Sequence, residues 1–171
     1  DSYRDYGFVY CFTNSLVNTG VDKPADYSDK TIKSLTADVE ETKVKKKPNI
    51  IFLQLESFFD INNMTNITFS ENPVPYFESL MEQYPSGYLD VPIGTVNTEF
   101  EVMTGMNLDD FGPGEYPFKT ILKETTCESI AYNLKEYGYA THAIHDNTAT
   151  FYSRNVVFSN LGYDTFSSIE T

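Results

Sequence analysis

The sequence predicts an α/β fold, a mostly parallel sheet flanked by helices. Two observations carry this. Asn49-Ile50-Ile51-Phe52-Leu53-Gln54-Leu55-Glu56 is a short, nearly continuous apolar run, the pattern of a strand buried on both faces. After it, strand-like and helix-like stretches alternate at the spacing of βαβ units. Thirteen Tyr and thirteen Phe, with no Trp, supply apolar mass for a core.

The elements follow in order. Residues 1–27 are polar and aromatic with few periodic cues. Ser28 predicts an N-cap for a helix reaching about residue 41, with Ile32, Leu35 and Val39 on one face. Lys43-Val44-Lys45-Lys46-Lys47-Pro48 reads as a basic linker. It is either a solvated run or a segment that approaches anionic headgroups. The chain then divides into a pre-domain segment, 1–46, and a domain, 47–171. The first strand, 50–55, opens that domain. Residues 60–75 are rich in turn formers. Pro75 suits the first position of a helix whose Phe77, Leu80, Met81 and Tyr84 share a face. Residues 87–91 predict a second strand. A helix after Thr95 buries Phe100 and Met103 and ends at Gly105. Residues 106–120 read as a loop. Thr125 and Glu128 have capping-box spacing, ahead of a helix that presents Cys127, Ile130, Ala131 and Leu134 and closes at Gly138. A third strand spans 139–144, a final helix spans 151–161 and stops at Gly162, and a fourth strand spans 163–166.

Composition narrows the function. The net charge of −13 argues against nucleic acid as a partner. It is also awkward for a phosphate substrate, unless a bound cation and Arg154 reverse the local field. No apolar run of the length of a membrane span is present, and no signal-peptide pattern. The chain begins Asp1-Ser2-Tyr3 without Met, which reads as a piece of a longer protein. Cys11 and Cys127 are far apart, and Cys127 reads as a small buried hydrophobe rather than a disulfide partner.

Five residues draw the chemistry. Thr95 follows Gly94 at a helix start. A hydroxyl there either caps the helix or, beside a metal, becomes a nucleophile favoured by the positive helix end. Thr98 is the competing hydroxyl. Glu56 closes the first apolar run, where an ionised group is costly unless paired or metal-bound. Carboxyl ends of strands are where open α/β sheets place their sites. His145 ends the third strand and by alternation faces away from His142. Arg154 carries a planar fork suited to phosphate; its bland reading is a surface ion pair. Tyr152 either stacks on a ligand or packs the helix start. There is no P-loop, no Gly-x-Gly-x-x-Gly and no Cys-x-x-Cys.

Three ordered blocks carry a resemblance. They are Pro48 to Phe58, Gly94 to Gly105, and the stretch from Gly138-Tyr139 through His145-Asp146-Asn147 and Phe151-Tyr152-Ser153-Arg154-Asn155 to Leu161-Gly162-Tyr163-Asp164. From about Lys47 to Thr171 the chain resembles the lipoteichoic acid synthase and phosphoglycerol transferase group, in the sulfatase-like branch of the alkaline phosphatase superfamily. The resemblance implies an alkaline-phosphatase-like fold, here the N-terminal half of a catalytic domain. It implies that Thr95 is both nucleophile and metal ligand, that Glu56 is a metal ligand, and that His145, Tyr152 and Arg154 line a glycerophosphate pocket. The metal would be Mn²⁺ or Mg²⁺. The partners implied are a phosphatidylglycerol-type headgroup and a glycerophosphate polymer, at the extracytoplasmic face of a bacterial membrane to which preceding helices anchor the protein. The family's downstream Asp-His metal pair has no counterpart, since the only histidines are His142 and His145. This stretch alone is therefore expected to be inactive. A phosphate or sulfate ester hydrolase of the same superfamily, or a non-catalytic module keeping half a site, are the alternative readings. No Cys or Ser starts the x-Pro-x-Arg pattern of sulfatases that oxidise their nucleophile.

Overall fold

Helix α4 (Thr95–Thr104) organises the core. Its sequence puts Val96, Phe100 and Met103 on one stripe, and burying that stripe is what holds the helix. Val96 and Phe100 are each 1% exposed. They pack with Leu108, Phe118 and Leu122 from the segment that follows and with Val157 and Leu161 of α6 (Arg154–Asn160). Each such side chain contributes about 1.5–3 kcal/mol of burial. The computed structural model describes residues 2–39, 46–55, 58–87 and 94–171. They fall into two units, one drawn from residues 1–50 and 92–171 and the other from residues 51–91.

In the larger unit, β1 (His142–Ile144) and β2 (Thr165–Ser167) pair in parallel, with Ala143 opposite Phe166. Helix α6 is the crossover between them. Phe158 on α6 stacks on Phe166 at 5.3 Å and meets Tyr163 edge-on at 5.1 Å. The predicted βαβ logic therefore holds, as mixed helices with a small parallel sheet. Helix α5 (Ile130–Glu136) starts at Ser129, whose hydroxyl accepts from the Ala131 amide at 3.1 Å. This corrects the Thr125–Glu128 capping box: the Thr125 hydroxyl instead donates to the Ile121 carbonyl at 3.0 Å, and Cys127 precedes the helix. Both cysteines are free thiols. The turn into β2 is fixed by Asp164, which accepts from the Thr141 amide at 2.9 Å and pairs with Lys135 at 3.0 Å.

The chain's beginning is more ordered than its periodicity predicts. Helix α1 (Ser2–Val17) is interrupted at Gly7 and buries Cys11 while leaving Tyr6, Phe8 and Tyr10 exposed. Helix α2 (Asp29–Leu35) is capped by Ser28 as expected, but ends before residue 41. The smaller unit holds α3 (Pro75–Gln83), with Pro75 in its first turn. The Glu78 carboxylate collects the side-chain amides of Asn62 and Asn72, and Phe58 meets Phe77 edge-on at 4.9 Å.

The expected first strand is corrected. Residues 50–55 pair with no strand among the described residues, and Ile51 and Leu53 are 86% and 77% exposed. Apolarity marks a segment for burial, but a buried parallel strand also needs neighbours on both edges, and those are set far away in sequence. Of the expected second strand, residues 88–91 lie outside the described residues.

Candidate functional site

Gly94, not Thr95, takes the N-cap of α4, with φ of 120°. Its carbonyl accepts from the Asn97 and Thr98 amides at 3.0 and 3.2 Å. That conformation suits glycine, because a side chain there costs about 1–3 kcal/mol. Thr95 is therefore the first helical residue, half-buried.

One turn further, Glu99 occupies a position on the buried stripe and is 7% exposed. An ionised carboxylate there must be paired. Arg154 does this in full: Nη2 donates to Glu99 Oε1 at 2.6 Å and Nε to Oε2 at 3.1 Å, while Nη1 donates to the Phe151 carbonyl at 3.2 Å. Arg154 is fully buried. The ion pair exists, but it is internal and bidentate rather than the surface contact of the bland reading. The fork expected to face a phosphate is held by Glu99. The charge of Glu99 is felt nearby, where burial first and then Glu99 raise the Tyr163 hydroxyl pKa.

The predicted helix over 151–161 is broken at its start, which corrects that expectation. A 3₁₀ turn, Phe151–Ser153, precedes α6, and Tyr152 and Ser153 both have positive φ, 56° and 55°. Non-glycine residues pay for that conformation and keep it only where the surroundings impose it. Here the guanidinium lies beside both rings, 5.6 Å from the Phe151 ring centre and 5.5 Å from that of Tyr152. Phe151 also meets Tyr152 edge-on at 4.7 Å and stacks on His145 at 6.3 Å. The structure thus brings His145, Tyr152 and Arg154 together around Phe151. His145 follows β1 directly, as expected, and its amide donates to the Ser167 carbonyl at 2.9 Å. Its Nδ1 is buried with no hydrogen-bond partner among the described residues. His142 instead holds the Thr165 hydroxyl at 2.6 Å.

Glu56 lies outside the described residues. Thr95 is the described member of the expected metal pair, and among the described residues no group of three or more His, Cys, Asp or Glu could hold an ion. Two ligands leave most of the roughly six oxygen positions of Mg²⁺ or Mn²⁺ unfilled. These residues alone do not fit a complete metal centre. Among the described residues, no helix is long and apolar enough to cross a membrane.

The sulfatase family description matches residues 48–171, most of the chain. This chain belongs to the sulfatase family. A relative from Rhizobium meliloti (strain 1021), provisionally named a cyclic beta-1,2-glucan modification protein, is 29% identical over 99% of this chain. The chain spans 27% of that relative's length. The lipoteichoic acid synthase LtaP of Listeria monocytogenes aligns over 47% of this chain and 19% of its own, at 23% identity and a TM-score of 0.41.

Two residues beside the candidate site residues were not singled out from the sequence. Glu99 left a legible signal, a carboxylate between Val96 and Phe100 on an apolar stripe, which demands a buried cation. Lys119 left none. It sits in the loop after α4, with its ammonium 4.6 Å from the Tyr116 ring centre and 5.1 Å from that of Tyr152.

Proposed function

We propose that this chain contributes the nucleophile half of an extracytoplasmic phosphoglycerol transferase that acts on phosphatidylglycerol in a bacterial envelope. One observation supports the reading above others. Thr95 opens α4, and Glu99, about 6 Å further along the axis, grips Arg154 from the block that also brings His145 and Tyr152. Two distant sequence blocks thus meet one helical turn from Thr95, at the Glu99–Arg154 pair.

In this reading the Thr95 oxygen attacks the phosphodiester phosphorus. The bond from phosphorus to the diacylglycerol oxygen breaks, and diacylglycerol departs with the threonine proton. A hydroxyl of the acceptor then attacks the glycerophospho-threonine, releases Thr95 and carries the glycerophosphate away. The relative's name points to a glycan hydroxyl as acceptor; a growing glycerophosphate chain is the acceptor that the sequence resemblance implies. His145 and Tyr152 line the glycerol side. Arg154 positions Tyr152 and the first turn of α6, and reaches a phosphate only if its fork is exchanged from Glu99. Glu56 and Thr95 would share a divalent ion, Mn²⁺ or Mg²⁺, with ligands from elsewhere in a longer protein.

The test is covalent trapping. The protein in its full length is mixed with phosphatidylglycerol vesicles and digested, and the peptide holding Thr95 is weighed. A glycerophosphoryl adduct on Thr95, lost in Thr95→Ala together with diacylglycerol release, is expected. Undiminished diacylglycerol release by Thr95→Ala refutes the nucleophile.

A further inference from the structure

The charges around Thr95 do not balance in favour of an anionic substrate until Lys119 is counted. Arg154 is the expected phosphate cation, but Glu99 neutralises it at 2.6 Å in a buried pair. A cancelled pair offers an incoming anion almost no net field. Lys119 makes no ion pair among the described residues, and Glu115 in the same segment is engaged by the Thr120 hydroxyl. The Lys119 ammonium rests against two tyrosine faces, 4.6 Å from Tyr116 and 5.1 Å from Tyr152. Those faces attract a cation without discharging it.

The two tyrosines also fix where that cation stands. Tyr152 is the residue with positive φ that flanks Arg154. Tyr116 lies beside the turn that presents Thr95, since a Cβ added at Gly94 would sit 3.8 Å from its ring. Lys119 thus rests on one ring that reaches the Thr95 turn and on another that flanks Arg154, while its side chain stays exposed.

We propose that Lys119 is the substrate-positioning cation of this site, receiving the phosphate of an anionic glycerophosphate group at the Thr95 turn. It would also disfavour donors whose headgroup carries its own ammonium, by like-charge repulsion. The inference rests on the phosphoglycerol reading above and adds to it the residue that recognises the charge.

The test is a titration of glycerol 1-phosphate into the full chain, followed by two-dimensional NMR, for the unaltered protein, Lys119→Gln and Lys119→Arg. Uncharged glycerol is the control, and thermal unfolding checks that each variant keeps its fold. Glycerol 1-phosphate should move the Gly94, Thr95 and Tyr116 signals, and glycerol should not. Lys119→Gln should weaken binding about threefold to fivefold, the scale of one exposed charge contact, and flatten its ionic-strength dependence. Lys119→Arg should restore both. A merely structural role for Lys119 would leave the salt dependence unchanged. If glycerol 1-phosphate moves those signals equally in Lys119→Gln, the role of Lys119 is refuted while the phosphoglycerol reading stands. If it moves none of them in the unaltered protein, both readings fail.

Discussion

Replacing Arg154 by Met should be among the most damaging single changes to this chain, and the structure says by how much. The side chains of Arg154 and Glu99 are 1% and 9% exposed. Two charge-assisted hydrogen bonds join them, and a third ties Arg154 to the Phe151 carbonyl. Their gross worth overstates the net, because both charges were taken out of water. What the single substitution measures is different: it strands Glu99 as a buried charge without its partner. That costs about 3–5 kcal/mol, a large share of the roughly 5–15 kcal/mol that holds an ordinary domain. With a urea dependence of about 2 kcal/mol per molar, the unfolding midpoint should fall by about 2 M. The assay is urea unfolding followed by circular dichroism, with hydrogen exchange of the α4 and α6 amides to confirm that the loss is in the larger unit. The double replacement Glu99→Leu with Arg154→Met removes both charges and should recover much of the loss, since an apolar pair of similar volume is often as stable as the ions. A loss under about 1 kcal/mol for Arg154→Met would mean that the pair is open to water, and the reasoning fails.

Other outcomes follow from the same geometry. The Asp164 carboxyl is held at about 2, chiefly by the Thr141 amide and then by the Lys135 hydrogen bond. A folded value below the unfolded one gives stability that is present above about pH 4 and lost as pH falls towards 2. Asp164→Asn should therefore flatten the acid limb of an unfolding-versus-pH curve in that window, and an unchanged limb would refute it. Gly162 has φ of 85°, and a Cβ there would lie 2.6 Å from the Tyr132 ring. Gly162→Ala should cost more than about 1 kcal/mol in thermal unfolding. A smaller loss would show that the ring gives way freely and that the backbone tolerates the residue.

Much of the candidate site was legible because its signals are local. Ser28, Pro75 and Gly105 announce helix ends through hydrogen bonds and fixed dihedrals within a few residues, so they read correctly. The Gly94-Thr95 turn was legible as a hydroxyl at a helix start, though the cap itself went to Gly94. The parallel strand pair was foreseeable from the alternation of elements, with its ends a few residues off. Glu99 was half-legible: its place on an apolar stripe demands a cation without saying which. The family, too, was contained in the ordered blocks.

The rest was decided by contacts that no window of sequence holds. Whether residues 50–55 form a strand depends on neighbours that pairing brings from far along the chain. Glu99 meets Arg154 across fifty-five positions, and that single pair turns the expected phosphate fork inward. The positive dihedrals of Tyr152 and Ser153 contradict their local preference, and in the fold they accompany the packing of Phe151 and Tyr152 against each other and beside a buried guanidinium. Lys119 was one lysine among many until Tyr116 and Tyr152 bracketed it. Caps and turns bind groups a few residues apart and are written in sequence. The balance of charge around a hydroxyl is a sum over groups brought together by packing, and only the folded chain determines it.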